Sequence, residues 1–338
     1  MAGAVIEVVE CRFPASIQDA GRPGFRHLGV PLSGALAPDW LALANGLAGN
    51  DLTAAAIEVR LLGPTLRAKS RCLVALAGEF MARIEDGTGQ SRPAANWSSH
   101  LLAAGESIVT GSLRSGIGYI AVAGGIDVPR VLGSRSTYAR AGIGGLDGRN
   151  LVAGDELDVG PHAELAPRRL PHAPRIESGA IRVLPGPQRS RFADSAWASL
   201  TESPFTVGRE ADRMGLRLEG PPLVHIGGAD IVSEAVAPGT IQVPGDGRPI
   251  VLLADCQTVG GYTKIANVIG ADVPRLAHAL PGHALRFVAV DRSAAVAARR
   301  ERATWLSQML ATIGPATPEM DLDALYNTNL IDGVIDAD

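Results

Sequence analysis

The sequence predicts a mostly β protein in two related halves, closed by a C-terminal helix. Short β-branched or leucine-rich runs bounded by Gly, Pro or Asp recur along the 338 residues, as in Ile181–Leu184, Ile250–Ala254 and Leu285–Val290. Ala20–Leu32 (AGRPGFRHLGVPL) aligns without a gap on Ala211–Leu223 (ADRMGLRLEGPPL), matching Arg22 to Arg213, Arg26 to Arg217 and Pro31 to Pro222. Each half also closes on a turn that enters a strand, Ala153–Leu157 and Pro281–Leu285.

Two segments carry helical periodicity. Pro38–Leu47 spaces Trp40, Leu41, Ala44 and Leu47 on one face, with Pro38 suited to a first turn. Ser293–Thr312 sets Trp305, Leu306, Met309 and Leu310 on one side, and Gly314-Pro315 ends it. His162–Pro174 holds three prolines and little periodicity, which marks a linker. The expected organisation is a β half over 1–161, a linker over 162–174, a second β half over 175–292 and a helical tail over 293–338. Within that tail, Leu325–Ile331 is apolar enough to dock on the barrel or on a partner.

Composition narrows the function classes. Hydrophobic residues are 46% and charged residues 20%, enough for a packed core. The 40 glycines and 23 prolines signal turns, and their share stays below the roughly 25–30% of low-complexity chains. A net charge of -4 and only 4% aromatic residues argue against a phosphate-backbone or single-strand nucleic-acid binder. Apolar runs are far shorter than the ~18 residues of a membrane span, and no signal peptide is read at the N-terminus, so no membrane partner is expected. Cys11, Cys72 and Cys256 are an odd number at wide spacing, without a zinc pattern, consistent with a reduced cytoplasmic compartment.

Several chemistries drop out on motif grounds. No Gly-rich loop precedes a Lys-Ser/Thr pair, and Gly142–Gly148 misses the dinucleotide spacing. With Gly133–Thr137, that segment reads either as a backbone nest for an anion or as a wide turn. The seven histidines form no ligand set, so no metal site is expected, and Ser33 lacks a G-x-S-x-G setting.

Two polar clusters remain. In Ser16–Gly24, Gln18, Asp19 and Arg22 crowd a turn, where Asp19 and Arg22 either pair locally or present a carboxylate and a guanidinium to a ligand. In Gly239–Lys264, Gln242 is followed by the apolar run Ile250–Ala254, which opens into a turn carrying Asp255, Gln257, Thr258, Gly260, Gly261, Tyr262 and Lys264. Polar groups at the end of a rigid strand line sites, or they tie down a Gly-Gly turn. Of the 31 basic residues only Lys69 and Lys264 are lysines, which singles out Lys264.

The phrases SIQDAGRPGFRHLGVPLSG, IEVRLLGPTL, VLPGPQ, DRMGLRLEG, APGTIQVPGDGRPIVLLADCQTVGGYTKIANVIGADV and PGHALRF occur in order from Ser16 to Phe287. This text resembles the biotin-dependent carboxyltransferase family, also called allophanate hydrolase subunit 2 or KipA-like, which includes the C-type subunit of bacterial 5-oxoprolinase. Ala37, Glu79-Phe80, Ala211 and His278 depart from its usual text. The resemblance implies a cyclophilin-like β-barrel fold in two related halves. Neither lysine lies in a biotin-attachment setting, so no covalently bound biotin is expected on this chain.

What the resemblance implies about activity is an ATP-dependent 5-oxoprolinase subunit opening the 5-oxoproline lactam to glutamate. It would use ATP with Mg2+ and act with companion 5-oxoprolinase subunits, especially a B-type, KipI-like one. Carboxyl transfer from carboxybiotin to a urea-like amide, or a non-enzymatic KipA-like regulatory role, are the alternatives. On the 5-oxoprolinase reading, Arg22 and Arg213 are candidates for anion binding, and Lys264 for stabilising charge on the carbonyl or phosphoryl oxygen. Asp255 or Asp19 is the candidate base or Mg2+ holder. Gln18, Gln242, Thr258 and Tyr262 are candidates to orient the amide, beside Gly260 and Gly261.

Overall fold

The structure, a computed structural model, describes residues 5–162 and 166–316; the apolar segment Leu325–Ile331 lies outside them. It is mostly β, with nearly closed, barrel-like sheets and a long helix near the C-terminus. The first half holds two sheets. One runs in the order Glu156–Asp158, Val5–Glu10, Thr65–Ala68, Ser107–Val109, Arg83–Glu85 and Ser91–Pro93. The other is ordered Ala15–Gln18, Ala56–Leu62, Ser112–Val122, Cys72–Ala77, Ser98–Leu102, Arg168–Arg169 and Gly314–Pro315. The second half is built on one sheet whose centre is Gly215–Glu219, Ile250–Leu252, Thr240–Val243, Val259–Val268 and Ile181–Pro185. Among the described residues, no helix is long and apolar enough to cross a membrane.

The period-two rule explains how the halves join. Side chains alternate across a strand, so Ile57, Val59, Val74, Leu76, Ile120 and Val122 face the core inside the first half. Their neighbours Ala56, Ala75, Ala77, Tyr119 and Ala121 face the other way, into a core shared with Val183, Phe205, Leu216, Ile241 and Ile265 of the second half. The sheet is buried on both faces, which accounts for its near-continuous apolar runs. Glu58 falls on the shared face, where a carboxylate needs partners.

The helix Pro38–Ala48 fills the shared core. Pro38 opens it, and Gly49, at φ 76, ends it in the left-handed region that glycine adopts without a Cβ clash. Leu43 and Leu47 are fully buried, each contributing about 1.5–3 kcal/mol. The helix Arg292–Ala311 starts on Asp291, whose carboxylate accepts from the Ala294 N–H at 2.8 Å. It packs against Pro38–Ala48 at Gly46, where a Cβ would fall 2.9 Å from Ile313 and 3.0 Å from Leu310.

One expectation needs correction, and the linker carries an edge pairing that its composition does not show. The linker 162–174 contains the strand Arg168–Arg169, which pairs with Ser98 and with Gly314–Pro315. A two-residue strand on a sheet edge has no periodicity to read. The gap-free letter match also pairs unlike structures: Ala20–Leu32 is a loop with one 3-10 turn, whereas Ala211–Leu223 contains the strand Gly215–Glu219. The shared order of the halves is helix, strand, strand: Pro38–Ala48, Ala56–Leu62, Thr65–Ala68 and Asp194–Glu202, Phe205–Ala211, Gly215–Glu219.

Candidate active site

The polar cluster of the first half turns inward. Asp19 accepts from the Ser134 and Ser136 hydroxyls at 2.6 and 2.5 Å, and from the Arg135 and Gly21 N–H groups at 2.6 and 2.8 Å. The loop that resembled an anion nest thus encloses a carboxylate of the chain itself. Gln18 is fully buried and donates to the Ser16 hydroxyl and the Thr137 carbonyl. Arg22 is fully buried, with Nη2 donating to the Ser136 carbonyl, and burial lowers its guanidinium pKa.

Across the junction of the halves lies a buried ion network. Glu58, from the strand Ala56–Leu62, accepts from the Tyr119 hydroxyl at 2.7 Å, the Leu36 N–H at 2.8 Å and Arg213 Nη1. Arg213 holds Asp255 with two bonds, 2.8 and 3.0 Å, and donates to the Gly34 carbonyl at 2.7 Å. Burial alone would lower the Arg213 pKa, but the Glu58 and Asp255 charges outweigh it and hold the guanidinium protonated. Burial and the Glu58 charge push the Tyr119 hydroxyl far up, so it stays a donor.

A cavity of about 400 Å³ opens over this network, between the halves. Glu58, Asp255 and Arg213 form part of its wall, together with Arg60, Arg140 and Arg209. Burial lowers the Arg60 pKa. Among the described residues, none of Arg60, Arg140 and Arg209 is paired with a carboxylate. Asp212, in the same wall, caps the backbone N–H of Met214 at 2.7 Å. A second hollow of about 560 Å³ shares Arg140 and Arg209 and extends to Gln242, Gln257 and Tyr262. The two share Arg140, Arg209 and Asp212 and make one groove, whose guanidinium groups suit carboxylate or phosphate oxygens, with Glu210 and Asp212 as acids in the same wall.

The second polar cluster divides around this groove. Gln242 is buried and Tyr262 exposed, and both line it. Gly260 lies against Gln242, where a Cβ would collide with Nε2; Gly261 has no such constraint, its nearest atom being Ser233 Oγ at 3.4 Å. The Thr258 carbonyl accepts from the Val236 N–H at 3.1 Å. Lys264, the cross-strand partner of Gln242, is engaged elsewhere: its Nζ is buried 2.5 Å from Glu234 Oε1, and its N–H donates to Gln188 Oε1 at 3.2 Å.

The structure therefore brings Asp255 to Arg213, sets Gln242 opposite Lys264 and places Gln242 and Tyr262 in one hollow, while Asp19 and Gln18 bond to the Ser134–Thr137 loop instead. The anion-binding expectation for Arg22 and Arg213 does not fit their surroundings, since Arg22 is fully buried and Arg213 is already paired with two carboxylates. The cationic groups that face open space are Arg60, Arg140 and Arg209. Sequence reasoning did not single these out, nor Glu58, Tyr119, Gln188 or Glu234. Glu58 had a signal, an acid inside the buried-looking run AIEVRLL, and Gln188 ends the phrase VLPGPQ; the exposed arginines had none among so many.

The residues expected to hold Mg2+ do not fit that role. Asp19 accepts four hydrogen bonds from the chain, and Asp255 is held by Arg213. Among the described residues no group of three or more His, Cys, Asp or Glu side chains is placed to hold a metal ion.

Comparison with known proteins agrees with this architecture. Residues 28–289 match the family model for the carboxyltransferase domain, subdomain A and B. The chain is 35% identical to the C-type subunit of 5-oxoprolinase from Escherichia coli (strain K12) over 310 residues, covering 90% of this chain and 97% of the relative. It is 34% identical to the C-type 5-oxoprolinase subunit of Haemophilus influenzae, again covering 90% of this chain and 97% of the relative. The solved Kluyveromyces lactis urea carboxylase superposes with a TM-score of 0.83 at 25% identity, over 96% of this chain and 30% of that much longer one. On these matches, and on the mostly β fold that carries them, the chain belongs to the carboxyltransferase domain family, subdomains A and B.

Proposed function

We propose that this chain is the C-type subunit of an ATP-dependent 5-oxoprolinase, acting with companion subunits that include a B-type one. The observation that carries the reading is sequence identity: the chain is 35% identical to a C-type 5-oxoprolinase subunit over 310 residues, against 25% to the solved urea carboxylase. The groove supports it. 5-Oxoproline is a small anion with a lactam carbonyl, and the groove offers guanidinium groups without ion pairs among the described residues, beside the buried Gln242 amide and the exposed Tyr262 hydroxyl. Arg60, Arg140 and Arg209 would bind the carboxylate, while Gln242 and Tyr262 orient the lactam.

Opening the ring adds water across the lactam C–N bond, leaving a carboxylate and an amine. Amide resonance makes that carbon unreactive, and ATP supplies the activation. Because Asp19 and Asp255 are both engaged, handling of Mg2+ and ATP is assigned to the assembled complex rather than to these carboxylates. Lys264, paired with Glu234, would act on developing charge only if ligand binding or a partner protein released it from that carboxylate.

Co-purification of the chain with the products of neighbouring genes, followed by assay of ADP and glutamate from 5-oxoproline, tests the reading. Joint release of both is expected, and no turnover by the complex removes it. The family match and the TM-score of 0.83 favour a second reading, carboxyl transfer from carboxybiotin to a urea-like amide. It predicts a streptavidin-detectable partner in the same pull-down. Tight association with the B-type companion and no turnover would instead point to a regulatory binding protein.

A further inference from the structure

Gln242 shows an asymmetry that a packed core does not require. Its side chain is 2% exposed on the strand Thr240–Val243. Its Oε1 accepts from Gln257 Nε2 at 3.2 Å. Its Nε2 is buried and has no hydrogen-bond partner among the described residues. A buried amide donor without a partner is unfavourable, and native folds leave few of them. Here it belongs to a side chain that lines the groove beside Gln257, Tyr262, Arg140 and Arg209.

Three neighbours keep the donor in that state. Gln257 presents an N–H to Oε1, which fixes the direction of the amide. Arg26, from the other half, anchors the turn by donating to the carbonyls of Val236 and Gln257. Gly260 lets Nε2 sit where it does, since a Cβ at that position would fall 2.3 Å from it.

We infer that Gln242 recognises the carbonyl oxygen of the bound amide through Nε2, and that Gln257 is the positioning residue that keeps this donor facing the ligand. The ligand class is a small lactam or amide whose anionic end reaches Arg140 and Arg209. This rests on the 5-oxoprolinase reading for the ligand but not for the role of the two glutamines.

The test uses the full chain labelled with [15N]glutamine, with 5-oxoproline, pyrrolidinone and urea as probes. The Gln242 side-chain amide resonances, identified by their loss in Gln242→Glu, should shift on titration with 5-oxoproline. A glutamate at position 257 accepts from Nε2 and turns Oε1 toward the groove. Gln257→Glu should therefore weaken 5-oxoproline binding about ten- to hundredfold, the range set by one lost buried hydrogen bond. In the assembled complex the same variant should raise KM more than it lowers kcat. Gln257→Met, which removes the donor without adding an acceptor, should fall between Gln257→Glu and wild type, with both variants retaining the wild-type amide spectrum elsewhere. Resonances that no probe moves, or a folded Gln257→Glu that binds like wild type, would overturn the inference. A shift with urea and none with 5-oxoproline keeps the glutamine assignment and removes the 5-oxoproline reading.

Discussion

Arg213 of the second half and Glu58 of the first form a buried ion pair across the junction, and the same guanidinium holds Asp255 with two bonds. The Glu58 side chain is 2% exposed and that of Arg213 16%, so solvent screens the pair poorly. The network positions the wall of the groove, with the Arg213 charge already balanced by Glu58 and Asp255.

Arg213→Met should destabilise the protein by about 3–5 kcal/mol, because two carboxylates are left buried without their cation. Glu58→Gln, which leaves Arg213 paired with Asp255, should cost less. The double variant should recover part of the Arg213→Met loss. Urea unfolding midpoints measure all three, and additive losses would contradict a coupled network.

Arg140 and Arg209 are exposed and without ion pairs among the described residues. Replacing either by Ala should shift unfolding free energy by no more than about 0.5 kcal/mol. The KM for 5-oxoproline in the complex should rise about tenfold for each, the equivalent of one weak charge-assisted contact of about 1.4 kcal/mol. Parallel melting curves and substrate-saturation curves separate the two effects.

For Lys264 the burial and the Glu234 contact decide the expectation. Lys264→Met replaces a buried ammonium by an apolar chain of similar length, a change of about 1 kcal/mol or less. Glu234→Gln leaves the ammonium buried without its counter-charge and should be the more destabilising of the two. Turnover that falls strongly in Lys264→Met, with the melting point hardly moved, would give the lysine a role in the chemistry. A matched loss of stability and turnover would leave it a structural residue.

His278 gives the fold a pH dependence. Burial lowers its pKa from 6.5 to about 4, and its ring packs on Trp40 with centroids 4.3 Å apart while Nδ1 donates to the Ser115 carbonyl at 2.8 Å. The unfolded chain therefore binds a proton below about pH 6.5 that the native state refuses until about pH 4. This contribution is full above pH 6.5 and is lost as pH falls toward 4, amounting to at most about 3 kcal/mol. Urea melts of wild type and His278→Phe at pH 7.5 and 5 should differ in slope with pH, the variant being flatter over that interval.

Much of the fold could be read from residue pattern. The spacing of Trp40, Leu41 and Leu47 placed the first helix, and Gly314-Pro315 the end of the last one. The pairing of Arg168–Arg169 could not be read, because an edge strand of two residues leaves no period. The site was legible as two polar clusters but not as a geometry. Asp19 and Arg22 look alike in sequence whether they face a ligand or fold inward, and only the Ser134–Ser136 loop, more than a hundred residues away, decides. The letter match of Arg22 to Arg213 rewarded glycine spacing shared by a loop and a strand-bearing segment.

The central claim, that the arginine-lined groove serves ATP-dependent lactam opening, meets its most direct test in product release by the assembled complex. ADP and glutamate from 5-oxoproline should appear together with wild-type chain. With an Arg140→Ala/Arg209→Ala chain that still assembles, both should fall at least about tenfold at subsaturating 5-oxoproline, the loss expected of one charge-assisted contact or more. Wild-type complex that releases neither product, or a double variant that turns over at the wild-type rate, would contradict the account.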